Sequence, residues 1–329
     1  MAKLLGKNNY QDWSKINGAI HQKLGLDEKT QVRAYHHAEM AVMDQMVTLV
    51  QFLSHKKTVY FQRGVSPYFE SIIPHFLRDS LKIQNILPAE HLSTTDQREE
   101  WIKNIAPDTC CAVLCANHWV TGEKFEIQPL VDALEAKRIY VLVVNHGDAS
   151  MLSEKPTVYK NILHDLGDIV FSVMGARWKN PTLVSWQGRW DAENFDKDWT
   201  RVTSALPDET EVKKFESEFS KETFFTNGQS RVWNKAVLVF PDINAQMLRA
   251  NVASQLGVTG VDDELFGTII ECDETIYPPL RMWWRPDPAP VTVRGMIQFS
   301  VSALKKYPNL AHVVKTVAAG LVSEQTWEA

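Results

Sequence analysis

No run of about 18 apolar residues, the length a helix needs to cross a bilayer, occurs in the 329-residue chain, so no spanning helix is expected. Basic excess is also missing. The 35 Lys and Arg residues are outnumbered by 40 Asp and Glu, leaving a net charge of −5, which gives no electrostatic footprint for nucleic acid. Cysteine is scarce. Cys110, Cys111 and Cys115 share one apolar segment and Cys272 stands apart; with no basic neighbours to activate them, they are expected to be reduced and buried. The Gly-rich phosphate loops of nucleotide and dinucleotide sites are absent, as are His-Glu-x-x-His, paired Cys-x-x-Cys and Gly-x-Ser-x-Gly. The neighbouring His36 and His37 project to different sides of a helix. No metal site is expected. Met1–Lys7 has neither an apolar run nor a cleavage pattern, so a cytoplasmic protein is expected rather than a secreted one.

What is present suits a globular enzyme-sized chain: 44% hydrophobic and 23% charged residues. Residues 1–30 read as a loose arm or a short helix, and apolar residues recur at helical spacing from Thr30 to Ser54. Strands are predicted at Thr58–Phe61, Lys82–Ile86, Ala112–Ala116, Ile139–Val144, Ile169–Ser172 and Thr182–Trp186. Helical segments around Pro67–Leu77, Thr94–Ile105 and Gln128–Ala136 separate the first four. This alternation argues for βαβ units and a mainly parallel sheet covered on both faces. Residues 207–226 read as a connector helix, with Val212, Phe215 and Phe219 on one side. Beyond Asn227 come strands at Ala236–Phe240, Gly267–Cys272 and Val291–Ser300, and helices at Ala245–Leu256 and Leu310–Val322. The fold class is therefore α/β: a large domain over 1–226 and a small α+β domain over 227–329. In such sheets ligands sit beyond the carboxyl ends of the strands. That places residues 64–68, 117–122, 145–148 and 175–179 on one rim, with His118 and His146 on it either as ligand contacts or as hydrogen-bonded core residues. Trp186, Trp190, Trp199, Trp283 and Trp284 suit core packing or a partner-binding surface.

Several segments resemble one family. Gly167–Pro181, a buried strand followed by a polar-aromatic turn, is similar to the segment carrying His-Lys-Trp in class V aminotransferase-like proteins, the family of cysteine desulfurases and isopenicillin-epimerase-like enzymes. Pro67–His75 resembles their His-His-x-Asn-(Ile/Leu)-x-Pro-Trp segment. Asn117–Gly122 resembles their Ser-(Asn/His)-x-x-(x)-Thr-Gly loop, and Ile297–Ser300 their Arg-x-Ser segment. The order of elements is similar to the large and small domains of pyridoxal-phosphate (PLP)-dependent transferases of fold type I, over roughly residues 32–190 and 230–325.

The resemblance implies a homodimer and a set of site residues. The ring-stacking position corresponds to Tyr68, the phosphate turn to Tyr35–Glu39, and the carboxylate that holds the pyridine nitrogen to Val144 or Asn145. The substrate arginine corresponds to Gln298, with Arg294 near, and the lysine that bonds the cofactor to Arg177, with Lys179 two residues on. A guanidinium does not lose its proton at working pH and cannot form that bond. The expectation is a divergent member without Schiff-base chemistry and without a cofactor. It would bind a small, anionic molecule or a protein partner, or run another reaction, in a cleft lined by Tyr68, His118, Trp119, Asn145, His146, Arg177 and Gln298. Two alternatives stand beside it: a working PLP enzyme using Lys179 or another lysine, and a structural subunit with a Trp-rich binding surface.

Overall fold

Cys110–Cys115 and Val141–Val144 are continuous apolar runs, and such runs are buried only when both faces of a strand are covered. Every one of these residues is buried. The computed structural model describes residues 9–35, 38–53, 55–62, 82–86, 94–118, 122–166, 169–175, 195–204, 207–219, 230–240, 243–258 and 295–325. The chain forms two compact units, residues 1–119 with 124–204 and residues 120–123 with 205–329.

The first unit is built on a seven-stranded sheet. Its strands are β1 (Gln31–Tyr35), β2 (Thr58–Gln62), β3 (Lys82–Ile86), β4 (Thr109–Cys115), β5 (Tyr140–His146), β6 (Lys160–Asp165) and β7 (Val170–Met174), in the order β1-β7-β6-β5-β4-β2-β3. The pairs β2–β3, β2–β4, β4–β5 and β5–β6 are parallel, and β7 is antiparallel to both β6 and β1. Its helices are α1 (Asn9–Lys23), α2 (Ala38–Phe52), α3 (Thr95–Lys103), α4 (Gln128–Ala136) and α5 (Phe195–Ser204).

Alternation along the strands sorts the core. Phe61, Val113, Leu142 and Val144 pack with α2 residues Val42 and Met46 on one face. Tyr60, Leu114, Val141 and Val143 pack with α4 residues Leu130 and Leu134 on the other. Thr94 starts α3 with a capping box, its side chain and that of Gln97 each satisfying the other's backbone N–H.

In the second unit β8 (Lys235–Phe240) and β9 (Gly295–Ser300) form an antiparallel pair. It is covered by α6 (Glu209–Ser217), α7 (Ala245–Gln255), α8 (Val301–Lys306) and α9 (Leu310–Gln325), around a core that includes Phe215, Leu238, Phe299 and Val314. Buried beneath α6, Arg231 pairs with Glu216: Nη1 lies 3.0 Å from Oε2, and Nη2 also donates to the Lys235 carbonyl at 3.1 Å.

The mainly parallel α/β unit and the small α+β unit are as the sequence predicts, and three details differ. The division falls near Ala205 rather than at 226, because Val212 and Phe215 of the supposed connector pack into the second core. Of the two readings of residues 1–30 the helix holds: it is α1, anchored by fully buried Ile16 and Ile20. The helical stretch from Thr30 contains the strand β1 before α2. β6, unforeseen, pairs between β5 and β7. The predicted helix at 67–77 and strands at 182–186 and 267–272 lie outside the described residues.

Candidate functional site

β1, β2, β4, β5 and β6 run the same way, so their carboxyl ends share one rim of the sheet. There the apolar run of β5 gives way to Asn145 and His146. The backbone turns at Gly147, whose φ of +74° suits glycine because a Cβ would crowd the carbonyl there. Asp148 follows and caps the short 3-10 helix Ala149–Ser153, accepting from the Ser150 N–H at 3.0 Å and its hydroxyl at 2.6 Å.

Two asparagines hold this turn. The Asn145 amide donates to the Asp148 carbonyl at 2.9 Å, and its Oδ1 accepts from the Asp148 N–H at 3.1 Å. Asn117, beyond the end of β4, accepts from the His146 N–H at 2.9 Å and donates in a short bond to the His146 carbonyl. A side-chain amide thus extends the β4–β5 ladder by one step and fixes the His146 backbone.

Register decides which side chains meet. Asn145 stands opposite His164, and His146 opposite Asp165, so each pair shares a face. Asn145 Nδ2 lies 3.0 Å from His164 Nδ1, and burial drives the His164 pKa down to about 3. On the opposite face His146 Nδ1 lies 3.1 Å from Asp165 Oδ2. The His146 ring is 7% exposed, and its Nε2 is buried without a hydrogen-bond partner. A carboxylate accepts only, so Nδ1 donates to Asp165 and Nε2 is the ring nitrogen left without a partner.

Lys124 reaches the same rim, its ammonium 2.8 Å from Asp148 Oδ2. Burial raises the Asp148 pKa, but bonds from Lys124 and Ser150 outweigh it and hold the carboxyl below its usual range.

Of the sequence-predicted residues, His118, Asn145 and His146 lie at this rim. His118 is half-buried directly after Asn117. Asn145 is fully buried with its amide spent on Asp148 and His164, so it shapes the turn. Gln298 lies in β9 of the second unit, buried opposite Val237. Tyr68, Trp119, Arg177 and Lys179 lie outside the described residues.

The expectation that residues 175–179 share the rim of 145–148 needs correcting. Because β7 is antiparallel, its carboxyl end lies at the opposite edge of the sheet. The Gly175 N–H there donates to Asn161 Oδ1 at the start of β6, 3.2 Å away. Residues 145–148 and the carboxyl end of β7 therefore do not share one rim, while Arg177 itself lies outside the described residues.

No family model matches the chain, and no curated protein sequence matches it. Solved structures do. A NifS-like protein superposes with a TM-score of 0.65 at 12% identity, over 95% of this chain and 88% of its own. The histidinol-phosphate aminotransferase of Clostridium acetobutylicum gives 0.56 at 13% identity, over 94% and 90%. A structure described as SPT with PLP gives 0.58 at 10% identity, over 94% and 77%.

The chain has the PLP-dependent transferase fold. The expectation of no cofactor is overturned by these neighbours, one of which is described with PLP bound.

The rim residues fit that group in one respect. PLP has a ring nitrogen that takes a polar partner, and His146 Nε2, its ring held at Nδ1 by Asp165, is a buried polar atom without a hydrogen-bond partner. Asp165 escaped the sequence reading because Lys160-Asn161-Ile162-Leu163-His164-Asp165 is too polar to read as a buried strand. Its polar members are paired internally: the Asn161 amide donates to Gln45 at 2.9 Å, and Gln45 donates to Ser172 at 2.8 Å.

Proposed function

We propose that the protein is a PLP-dependent enzyme of the class V aminotransferase-like kind, acting on a small anionic molecule at the carboxyl-end rim of β4, β5 and β6. The observation that carries this reading is the buried polar cluster there: Asn117 and Asn145 fix the turn, and the His146 ring, held at Nδ1 by Asp165, leaves its buried Nε2 without a partner. PLP, when bound, supplies an aldehyde and an electron-withdrawing ring. His146 would hold the ring, His118 would line the approach, and Tyr68 and Trp119 would supply aromatic faces. Excluding water at this rim strengthens each polar contact. The reading includes a homodimer in the cytoplasm, and sedimentation velocity checks the first of these.

A second reading is favoured by Asn145, a neutral, internally spent amide at the strand end where the resemblance places a carboxylate. In it the chain binds PLP or a similar anion without a covalent bond and works as a ligand-binding or partner-binding protein.

One experiment separates the two. The protein is incubated with PLP, its near-visible absorption is recorded, and it is then reduced with borohydride and mapped by mass spectrometry. The first reading expects a yellow protein and cofactor fixed on one lysine, Lys179 and Lys124 included. Saturable PLP binding with no lysine labelled supports the second. Absence of binding overturns both.

A further inference from the structure

Asn117 and Lys124 close a loop at the end of β4. Their backbones form an antiparallel bridge, and the Phe125 N–H donates to the Ala116 carbonyl at 2.8 Å. Both residues also grip the β5 turn. Asn117 holds the His146 backbone at its N–H and its carbonyl, and the Lys124 ammonium lies 2.8 Å from Asp148 Oδ2. The residues just before Lys124, up to Glu123, belong to the second unit. There the Gly122 carbonyl accepts from the Val232 N–H at 2.7 Å, and Glu123 bridges to Arg231. Gly122 has a φ of +72°, and a Cβ on it would lie 2.9 Å from the Val232 carbonyl oxygen, so this approach requires glycine. Arg231 is fixed in turn. Its guanidinium is bonded to buried Glu216 and to the Lys235 carbonyl, and Glu216 accepts from the Val237 N–H at 3.2 Å.

Anchors in the two units are therefore consecutive in the chain. From Gly122 to Lys124 the backbone reaches at most about 7 Å, which leaves no slack to absorb a shift at either end. We infer that Gly122–Lys124 is a strap that couples ligand binding at the rim to the pairing of Gly122 with Val232 in the second unit. The inference rests on the function proposed above, since it needs a ligand at that rim. A ligand that orders the 145–148 turn stills Asn117 and Lys124, so the strap loses less freedom when it pairs with Val232. Coupling of this kind is reciprocal: a firmer anchor at Val232 tightens ligand binding by the same factor.

Hydrogen exchange of the intact protein, with and without PLP, tests this. The Val232 amide is expected to exchange at least about fivefold more slowly with PLP bound. Two glycines inserted between Glu123 and Lys124 give the strap slack and keep every anchoring residue. That variant should lose the added protection at Val232 and, in a fluorescence titration, bind PLP more weakly by the same factor. Gly122→Ala spoils the anchor from the other side. It should show the same two losses, and it decides the matter if the insertion prevents folding. Wild type that binds PLP with Val232 exchange unchanged overturns the inference and leaves the proposed function standing. Protection that persists in both variants also overturns it. Wild type that takes up no PLP overturns the inference and the proposed function together.

Discussion

Asn145 and His164 face each other across β5 and β6, amide nitrogen to ring Nδ1 at 3.0 Å, both with no exposed surface. Since the Asn145 Oδ1 already accepts from Asp148, its nitrogen must donate, and His164 must accept at Nδ1 as a neutral ring. Burial enforces the same state by lowering its pKa to about 3. The unfolded chain protonates this histidine near its ordinary value, while the folded chain does not. A depressed histidine therefore withdraws stability as pH falls below about 6.5, at roughly 1 kcal/mol per pH unit until the folded value is reached. Melting temperatures measured between pH 8 and pH 5 should fall in the wild type. His164→Gln should start lower, by about 1–3 kcal/mol for the altered buried contact, and show a shallower slope.

Lys124 and Asp148 should report the integrity of the turn. Above the ordinary carboxylate range the lowered pKa of Asp148 contributes stability, and that contribution disappears as pH drops through the folded value. In Lys124→Ala, burial of the carboxyl loses its main opponent and the pKa rises, so the loss sets in at higher pH. Urea unfolding at pH 7 should show a cost of about 1 kcal/mol, modest because the ammonium is partly exposed, with the acid transition displaced upward.

Arg231 and Glu216 are a buried pair in the second unit. Burial pushes the Glu216 pKa up, opposed by the Arg231 guanidinium. Removing one partner strands the other, so Arg231→Met should cost about 3–5 kcal/mol. The double variant Arg231→Met with Glu216→Leu should recover much of that. A double-mutant cycle in urea checks it.

Two glycines should respond with opposite sign. A Cβ on Gly175 would overlap the Thr157 carbonyl oxygen, which is backbone and cannot step aside. Gly175→Ala should destabilise by about 1–3 kcal/mol or more. A Cβ on Gly18 meets nothing within 4 Å on the exposed side of α1, so Gly18→Ala should add about 0.5–1 kcal/mol. Thermal melts of the two variants decide both.

The strands that sequence reasoning found are those whose burial needs no polar help. Val141–Val144 and Cys110–Leu114 are apolar throughout, and their class and place follow from that alone. β6 was hidden because Asn161 and His164 are paid for by partners distant in sequence, Gln45 and Asn145, which no local pattern reveals. β1 was hidden because five residues of Gln-Val-Arg-Ala-Tyr run into a helix two residues later. The site was half legible: His146 followed from its place at a strand end, and Asp165 needed the missing strand. Strand polarity was not legible at all. Nothing in Val170–Met174 marks it as reversed, since buried strands of either direction carry the same residues, and the placing of 175–179 on the rim depended on it.

The pairing of β1 with β7 joins Gln31 to Met174, and every other strand of that sheet lies between them in the chain. During synthesis the amino-terminal strand emerges first and waits unpartnered until nearly the whole unit has left the ribosome. Long-range closure of this kind is slow and exposes an open edge meanwhile. Gln31–Tyr35 therefore cannot take its place in the sheet before Val170–Met174 has been made.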